Sequence, residues 1–262
     1  MFLGKRIEDF EKRNKERIGE ENFNKFGSLV IIKNSRSCMD IDVYFPEYNW
    51  TLKNTRYDNF KNGQIACPYE PRVFGIGYWG EGKYLGTING KRTKLYNTWV
   101  GMLERCHDPK TSEKFPTYKG CSICEEWLCF QNFAQWYEDN YYEIPGEKMC
   151  LDKDILVKGN KIYSPETCVF VPDRINKLFT KSNASRGDLP IGVLKRGKRY
   201  SASCMIHGKQ KKLGCFDTSE EAFNKHKEVK EEYIKQVANE YYGLIPTNLF
   251  EAMYNWEVEI TD

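Results

Sequence analysis

Asp152 and Asp154 stand two residues apart in the string Leu151-Asp152-Lys153-Asp154-Ile155-Leu156. On an extended strand alternate residues share a face, so the two carboxylates would point the same way. Carboxylate oxygens placed like this suit a hard cation such as Mg2+. Lys153 lies between them and could serve as a base only where burial lowers its pKa substantially. Asn160 follows Gly159 in a turn-forming pair, so Asp152, Asp154 and Asn160 equally fit an ordinary hairpin and its turn. A second group with chemical potential is Cys121-Ser122-Ile123-Cys124, with Cys106 and Cys168 placed to join it from neighbouring elements. Four thiolates would hold a structural Zn2+, and His107 or Cys150 could replace one of them. The competing reading has Cys106 and Cys168 as buried thiols at apolar positions. No thioredoxin-like βαβ pattern surrounds the C-x-x-C, which argues against a redox motif.

The chain that must position these groups has 262 residues, enough for two domains or three small ones. Its three histidines, His107, His207 and His226, are scattered, which excludes any site needing several imidazoles close together in sequence. A 40% hydrophobic content with 17 Tyr, 15 Phe and 6 Trp supports real cores rather than wholesale disorder. No apolar run reaches the length of a membrane span, and Met1-Phe2-Leu3-Gly4-Lys5-Arg6 turns charged at once, without a signal-peptide stretch. A cytoplasmic protein with reduced thiols is therefore expected, and ten cysteines do not imply a disulfide scaffold. The net charge of +3 conceals a local asymmetry. Between Asn183 and Lys212 the basic residues are Arg186, Lys195, Arg196, Lys198, Arg199, Lys209, Lys211 and Lys212, opposed only by Asp188. Such a segment suits a polyanion, and equally a solvated lysine-rich face.

Three blocks follow one another in an α+β chain. Residues 1–93 read as a small β-rich module. Leu29–Ile32 is a β-type run, Met39–Phe45 alternates apolar with polar residues, and glycines and prolines punctuate the rest. Gly75-Ile76-Gly77-Tyr78-Trp79-Gly80 matches a phosphate-binding glycine pattern only superficially, since no helix-forming segment follows. Tyr78, Trp79 and Tyr84 could form an exposed contact loop or pack under the turns. Residues 94–183 open with two amphipathic helices, marked by Tyr96, Trp99, Met102, Leu103 and Cys106 and then by Trp127, Phe130, Phe133, Ala134 and Tyr137. A hairpin returning through Cys168–Val171 comes next, then a helical turn through Arg174 and Leu178. Residues 184–262 predict three strands, Ile191–Lys195, Arg199–His207 and Lys211–Phe216, joined at Gly197 and Gly208. Thr218-Ser219-Glu220-Glu221 is a capping box opening a helix with an apolar stripe through Ala222, Phe223, His226, Val229, Tyr233, Ile234 and Val237. That stripe is expected to cover one sheet face and leave a basic face open.

Two resemblances refine this reading. Ile191-Gly192-Val193, Lys198-Arg199-Tyr200-Ser201-Ala202 and Leu213-Gly214-Cys215-Phe216-Asp217-Thr218 before Glu221-Ala222 resemble the APETALA-type (ethylene-response-factor) DNA-binding domain. The resemblance implies a sheet lying in the major groove of double-stranded DNA. Its reading face would fall on Leu194, Arg196, Ser203, Met205, Gln210 and Lys212, with Lys212 at the family's tryptophan position. The second resemblance runs from Trp99, Met102-Leu103 and Arg105-Cys106 through Cys124-Glu125-Glu126-Trp127 to Leu151-Asp152-Lys153, Gly159-Asn160, Tyr163-Ser164-Pro165-Glu166-Thr167-Cys168 and Asn176. This string is similar to phage-encoded HNH endonucleases that carry such a C-terminal domain. It implies a ββα-metal centre hydrolysing a DNA phosphodiester with one divalent ion, in the cytoplasm of an infected or lysogenic bacterial host. Asp152 and Asn176 would then be metal-site residues, with Asp154 or Lys153 near the attacking water. The departures are specific: Lys153 stands at the position of the general-base histidine, Thr167 at the middle asparagine, and no histidine lies between His107 and His207. The alternative is a degenerate DNA- or protein-binding regulator, or an inhibitor that engages a host protein through residues 1–93.

Overall fold

The strand pattern, the helix caps and the turn glycines are each realised in a computed structural model, which describes residues 2–180 and 188–260. The chain forms two compact units, Met1–Glu138 and Asp139–Asp262. In the first, helix α1 (Phe2–Arg17) precedes a four-stranded antiparallel sheet in sequential order, β1 (Glu21–Phe23), β2 (Leu29–Ser37), β3 (Asp40–Phe45) and β4 (Trp50–Thr55). Its alternation buries Val30, Ile32, Ile41, Val43 and Phe45 against Phe60, Ile65 and Cys67; Phe60 comes from α2 (Tyr57–Lys61). On the polar face Arg36 bridges Asp40 at 2.6 Å and Asp42 at 2.7 Å. Helix α3 (Lys94–His107) starts where the Thr93 hydroxyl accepts the Tyr96 amide, and buries Trp99, Met102 and Leu103. Helix α4 (Phe130–Asn140), whose last two residues pass the unit boundary, buries Phe130, Phe133 and Ala134. The glycine-rich stretch is a strap on these helices rather than a contact loop. Trp79 packs on Phe130 with ring centroids 4.5 Å apart, and Gly77 lies so close to Trp99 and Leu103 that a Cβ would meet both.

In the second unit β5 (Met149–Asp152) pairs antiparallel with β6 (Val169–Pro172), followed directly by α5 (Asp173–Leu178). Three further strands, β7 (Val193–Arg196), β8 (Arg199–Ile206) and β9 (Lys209–Phe216), form an antiparallel sheet in sequential order. The turns between them are tight: Gly197 (φ 63°) follows β7, while His207 (φ 48°) and Gly208 (φ 71°) form a left-handed pair after β8. Positive φ at both central residues matches the twist of the flanking strands. Helix α6 (Ser219–Glu240) begins at the expected capping box, with the Thr218 hydroxyl accepting the Glu221 amide at 3.1 Å and the Glu221 carboxylate accepting the Thr218 amide at 3.2 Å. Helix α7 (Thr247–Tyr254) follows.

Helix α6 belongs to two cores. Ala222 and Phe223 pack with Val193, Ala202 and Val258 under the sheet. Farther along, Tyr233, Ile234, Val237 and Ala238 pack with Ile155, Val169, Val171 and Ile175 of the hairpin and α5. The two compact units meet at 138/139, while the blocks read from the sequence are 1–93, 94–183 and 184–262. The hairpin shares its core with the C-terminal helix, and the two preceding helices share a unit with the N-terminal sheet.

Gly192 joins the sheet to α6. It has φ +75°, and a Cβ there would run into the ring of His226, whose Nδ1 lies 2.7 Å from the Ser203 carbonyl oxygen. Gly192→Ala is therefore expected to destabilise the protein by roughly 2–4 kcal/mol, combining left-handed strain with overpacking. A thermal melt equal to that of the parent would show that His226 yields freely.

Candidate functional site

Strand β5 ends at Asp152, and the chain turns there because the carboxylate accepts the amides of Asp154 and Ile155, both at 2.8 Å. The strand periodicity that would put Asp152 and Asp154 on one face thus stops at the first of them. The pair is related by an Asx-type turn instead. Burial, followed by the charge of Asp154, raises the Asp152 carboxyl to about 6. Lys153 is 7% exposed. Its Nζ lies 3.3 Å from Asp154 Oδ2 and sits over the Tyr163 ring at 5.8 Å. Tyr163 is a partner that the sequence pattern does not single out.

Asn160 closes the same loop, donating to the carbonyls of Lys153 and Ile162, each at 2.7 Å, and accepting the Ile162 amide. Thr167, at the resemblance's middle asparagine, also donates to the Ile162 carbonyl at 2.8 Å. Asn176 lies half-buried on α5, and no hydrogen bond joins its side chain to Asp152, Lys153 or Asp154 among the described residues. The structure therefore gathers Asp152, Lys153, Asp154 and Asn160 around one turn, with Asn176 outside that hydrogen-bonded set.

Of the four cysteines considered for zinc, Cys106, Cys121 and Cys124 belong to the first unit and Cys168 to the second. Burial pushes the Cys168 thiol up to about 12, so a metal there would have to displace a firmly held proton. Among the described residues no three His, Cys, Asp or Glu side chains are gathered for a metal ion.

The C-terminal sheet offers a different kind of site. Ala202 and Cys204 are buried against α6, so Ser201, Ser203 and Met205 point away from it. Directly opposed residues of antiparallel strands share a face. The register therefore places Leu194, Ser201 and Cys215 in one row, Arg196 with Arg199, Ser203 with Lys212, and Met205 with Gln210. The six positions expected to form the reading face all lie on this open side.

The register divides the basic residues. Arg196, Arg199 and Lys212 belong to the open face. Lys195 pairs with Tyr200 and Lys211 with Cys204, on the helix side; Lys209 starts β9 and Lys198 lies in the first turn. Arg199 is tied down by Asp217 at 3.0 Å and by the Cys215 carbonyl at 2.9 Å. Arg186 lies outside the described residues. Leu213 is an extra residue on β9 opposite the Ala202/Ser203 step, and this irregularity shifts the alternation between Gly214 and Lys212. Counting residues from the turn alone does not reveal that shift.

No family model, no curated protein and no solved structure matches the chain.

The raised carboxyl of Asp152 makes a signed prediction. A folded-state pKa near 6, against an ordinary 3.8, means that the native state holds the extra proton between these values. Stability from this group is fully present below pH 4 and is lost as pH rises through 6. Asp152→Asn keeps the oxygen that accepts the two amides and removes the charge. The variant is expected to exceed the parent at pH 8 by an amount on the order of 2 kcal/mol and to match it at pH 4. Urea melts at both values check this; an equal difference at pH 4 and pH 8 would rule the linkage out.

Proposed function

We propose that this protein binds double-stranded DNA through the open face of its C-terminal sheet, on a scaffold of the HNH-nuclease type. One observation carries the reading. The sheet is covered by α6 on one side, and its other side presents Arg196, Arg199 and Lys212, of which Arg199 is bridged by Asp217 just past the end of β9. A three-stranded sheet of this form fits a major groove about 12 Å wide. Contacts from these residues, and from Lys198 in the first turn, to phosphates would supply affinity that falls with salt and carries little sequence information. Reversing Arg196 and Lys212 together to Glu is expected to weaken duplex binding at least about tenfold and to reduce the salt slope by roughly two. Lys211→Gln, on the helix side, serves as the comparison and is expected to change binding far less. Fluorescence anisotropy over a salt series measures both, and equal losses in the two proteins would discard the open face as the contact surface.

A second reading, hydrolysis of the bound DNA, is favoured by the Asp152–Asp154 turn. Burial, followed by repulsion from Asp154, raises the Asp152 carboxyl to about 6, and a divalent cation would offset both penalties on its ionised form. Asp152 and Asp154 would hold such an ion, which when bound would polarise a phosphodiester oxygen as a Lewis acid. Lys153 stands where the resemblance expects the base, paired with Asp154 and largely withdrawn from solvent. Nicking of supercoiled plasmid in Mg2+ or Mn2+ that disappears in Asp152→Asn, with DNA binding retained, is the outcome this reading expects. A plasmid that is bound and left intact under both metals reduces the protein to a DNA-binding regulator.

A further inference from the structure

The composition of the open face bears on which base pairs it would meet, an inference that rests on the DNA-binding reading above. Two large apolar side chains stand exposed on it, Leu194 at 42% and Met205 at 53%. Only two arginines share the face, and Arg199 is already engaged by Asp217 and the Cys215 carbonyl. Bidentate contact from Arg or Lys is the commonest way to read guanine, so only Arg196 and Lys212 are left for it. The remaining groups have a different complement. Gln210 lies directly across the strand pair from Met205, and its amide donates one hydrogen to the Ser203 hydroxyl at 3.2 Å.

That bond orients the amide without using it up. A glutamine has two N–H donors and one carbonyl acceptor. With one N–H held by Ser203, the other N–H and the oxygen remain, which are the pair that adenine N7 and N6 require. In a major groove the apolar feature of an A·T pair is the thymine C5-methyl, a partner for an exposed Met or Leu side chain. We infer that the open sheet face selects A·T pairs, with Gln210 reading adenine and Met205 and Leu194 packing on thymine methyl groups. The positive charge of Arg196 and Lys212 holds the duplex against the face, and this short amide and apolar set distinguishes one base pair from another.

The test compares three alternating duplex polymers of equal length at one salt concentration, using the full chain and competition anisotropy: poly(dA-dT), poly(dA-dU), which lacks only the methyl group, and poly(dG-dC). The expected order is poly(dA-dT) tightest. Poly(dA-dU) should be weaker by about fourfold for each methyl group contacted, and poly(dG-dC) weaker by roughly tenfold or more. Met205→Ala should close much of the gap between thymine and uracil, and Gln210→Ala the gap between A·T and G·C, with the salt dependence of each variant unchanged. Equal wild-type affinity for all three polymers, or preference for poly(dG-dC), overturns the base selection and leaves DNA binding standing. Failure to bind any of the three overturns both. The wild-type comparison decides the question without relying on the folding of any variant.

Discussion

The second unit depends on one helix doing two jobs. A three-stranded sheet alone is marginal in water, and a two-stranded hairpin more so. Both complete a core by packing on α6, the sheet on its first turns through Ala222 and Phe223, the hairpin on its later turns through Tyr233, Ile234, Val237 and Ala238. A helix of 22 residues is about 33 Å long, enough to serve two layers in succession. Its start must therefore be fixed well, and the reciprocal bonds of Thr218 and Glu221 fix it. A change in the register of α6 would disturb the sheet and the hairpin together, because the same stripe of side chains supplies both.

The shared helix also explains why the sheet can leave one face open. The His226 ring beneath Gly192, bonded to the Ser203 carbonyl, anchors the middle strand from the covered side. The tight turns at Gly197 and His207-Gly208 close the strands with few loop residues. Rigidity comes from the covered side and the turns, so the open side can carry an exposed Met205 and Leu194 that contribute nothing to the core. Exposed apolar side chains on a sheet with unpaired edges are otherwise an aggregation hazard, offset here by the lysines and arginines among them.

Much of this was legible in the sequence where the signals are local. The capping box, the turn glycines, the apolar stripe of α6 and the alternation of Met39–Phe45 each depend on residues within one or two turns of each other. They emerged close to expectation. Long-range facts did not. The change of composition near residue 184 looks like a domain boundary, yet Val169 and Val171 share a core with Val237, which no local pattern can announce. The strand reading of Asp152 and Asp154 failed for a related reason. An aspartate that can bond its own following amides will end a strand, and the period of two then no longer applies. The reading-face positions were recoverable because tight turns set the alternation, and the same alternation puts Lys211, between Gln210 and Lys212, on the helix side.

The turn at Asp152 has an energetic logic that a merely structural hairpin does not require. An asparagine would accept the same two amides without a charge to bury. A second carboxylate at Asp154 makes the ionised form costlier still, and the ion pair from Lys153 reaches Asp154 at 3.3 Å. Charge is therefore concentrated where burial penalises it, which lowers stability near neutral pH. Perturbed carboxylates gather at functional sites and also occur in structural ion-pair networks. A proton, a divalent cation or a neighbouring phosphate-bound metal would each discharge the same repulsion. The open sheet face and the charged turn stand on one helix, so duplex held by the first would also be held by the unit that carries the second.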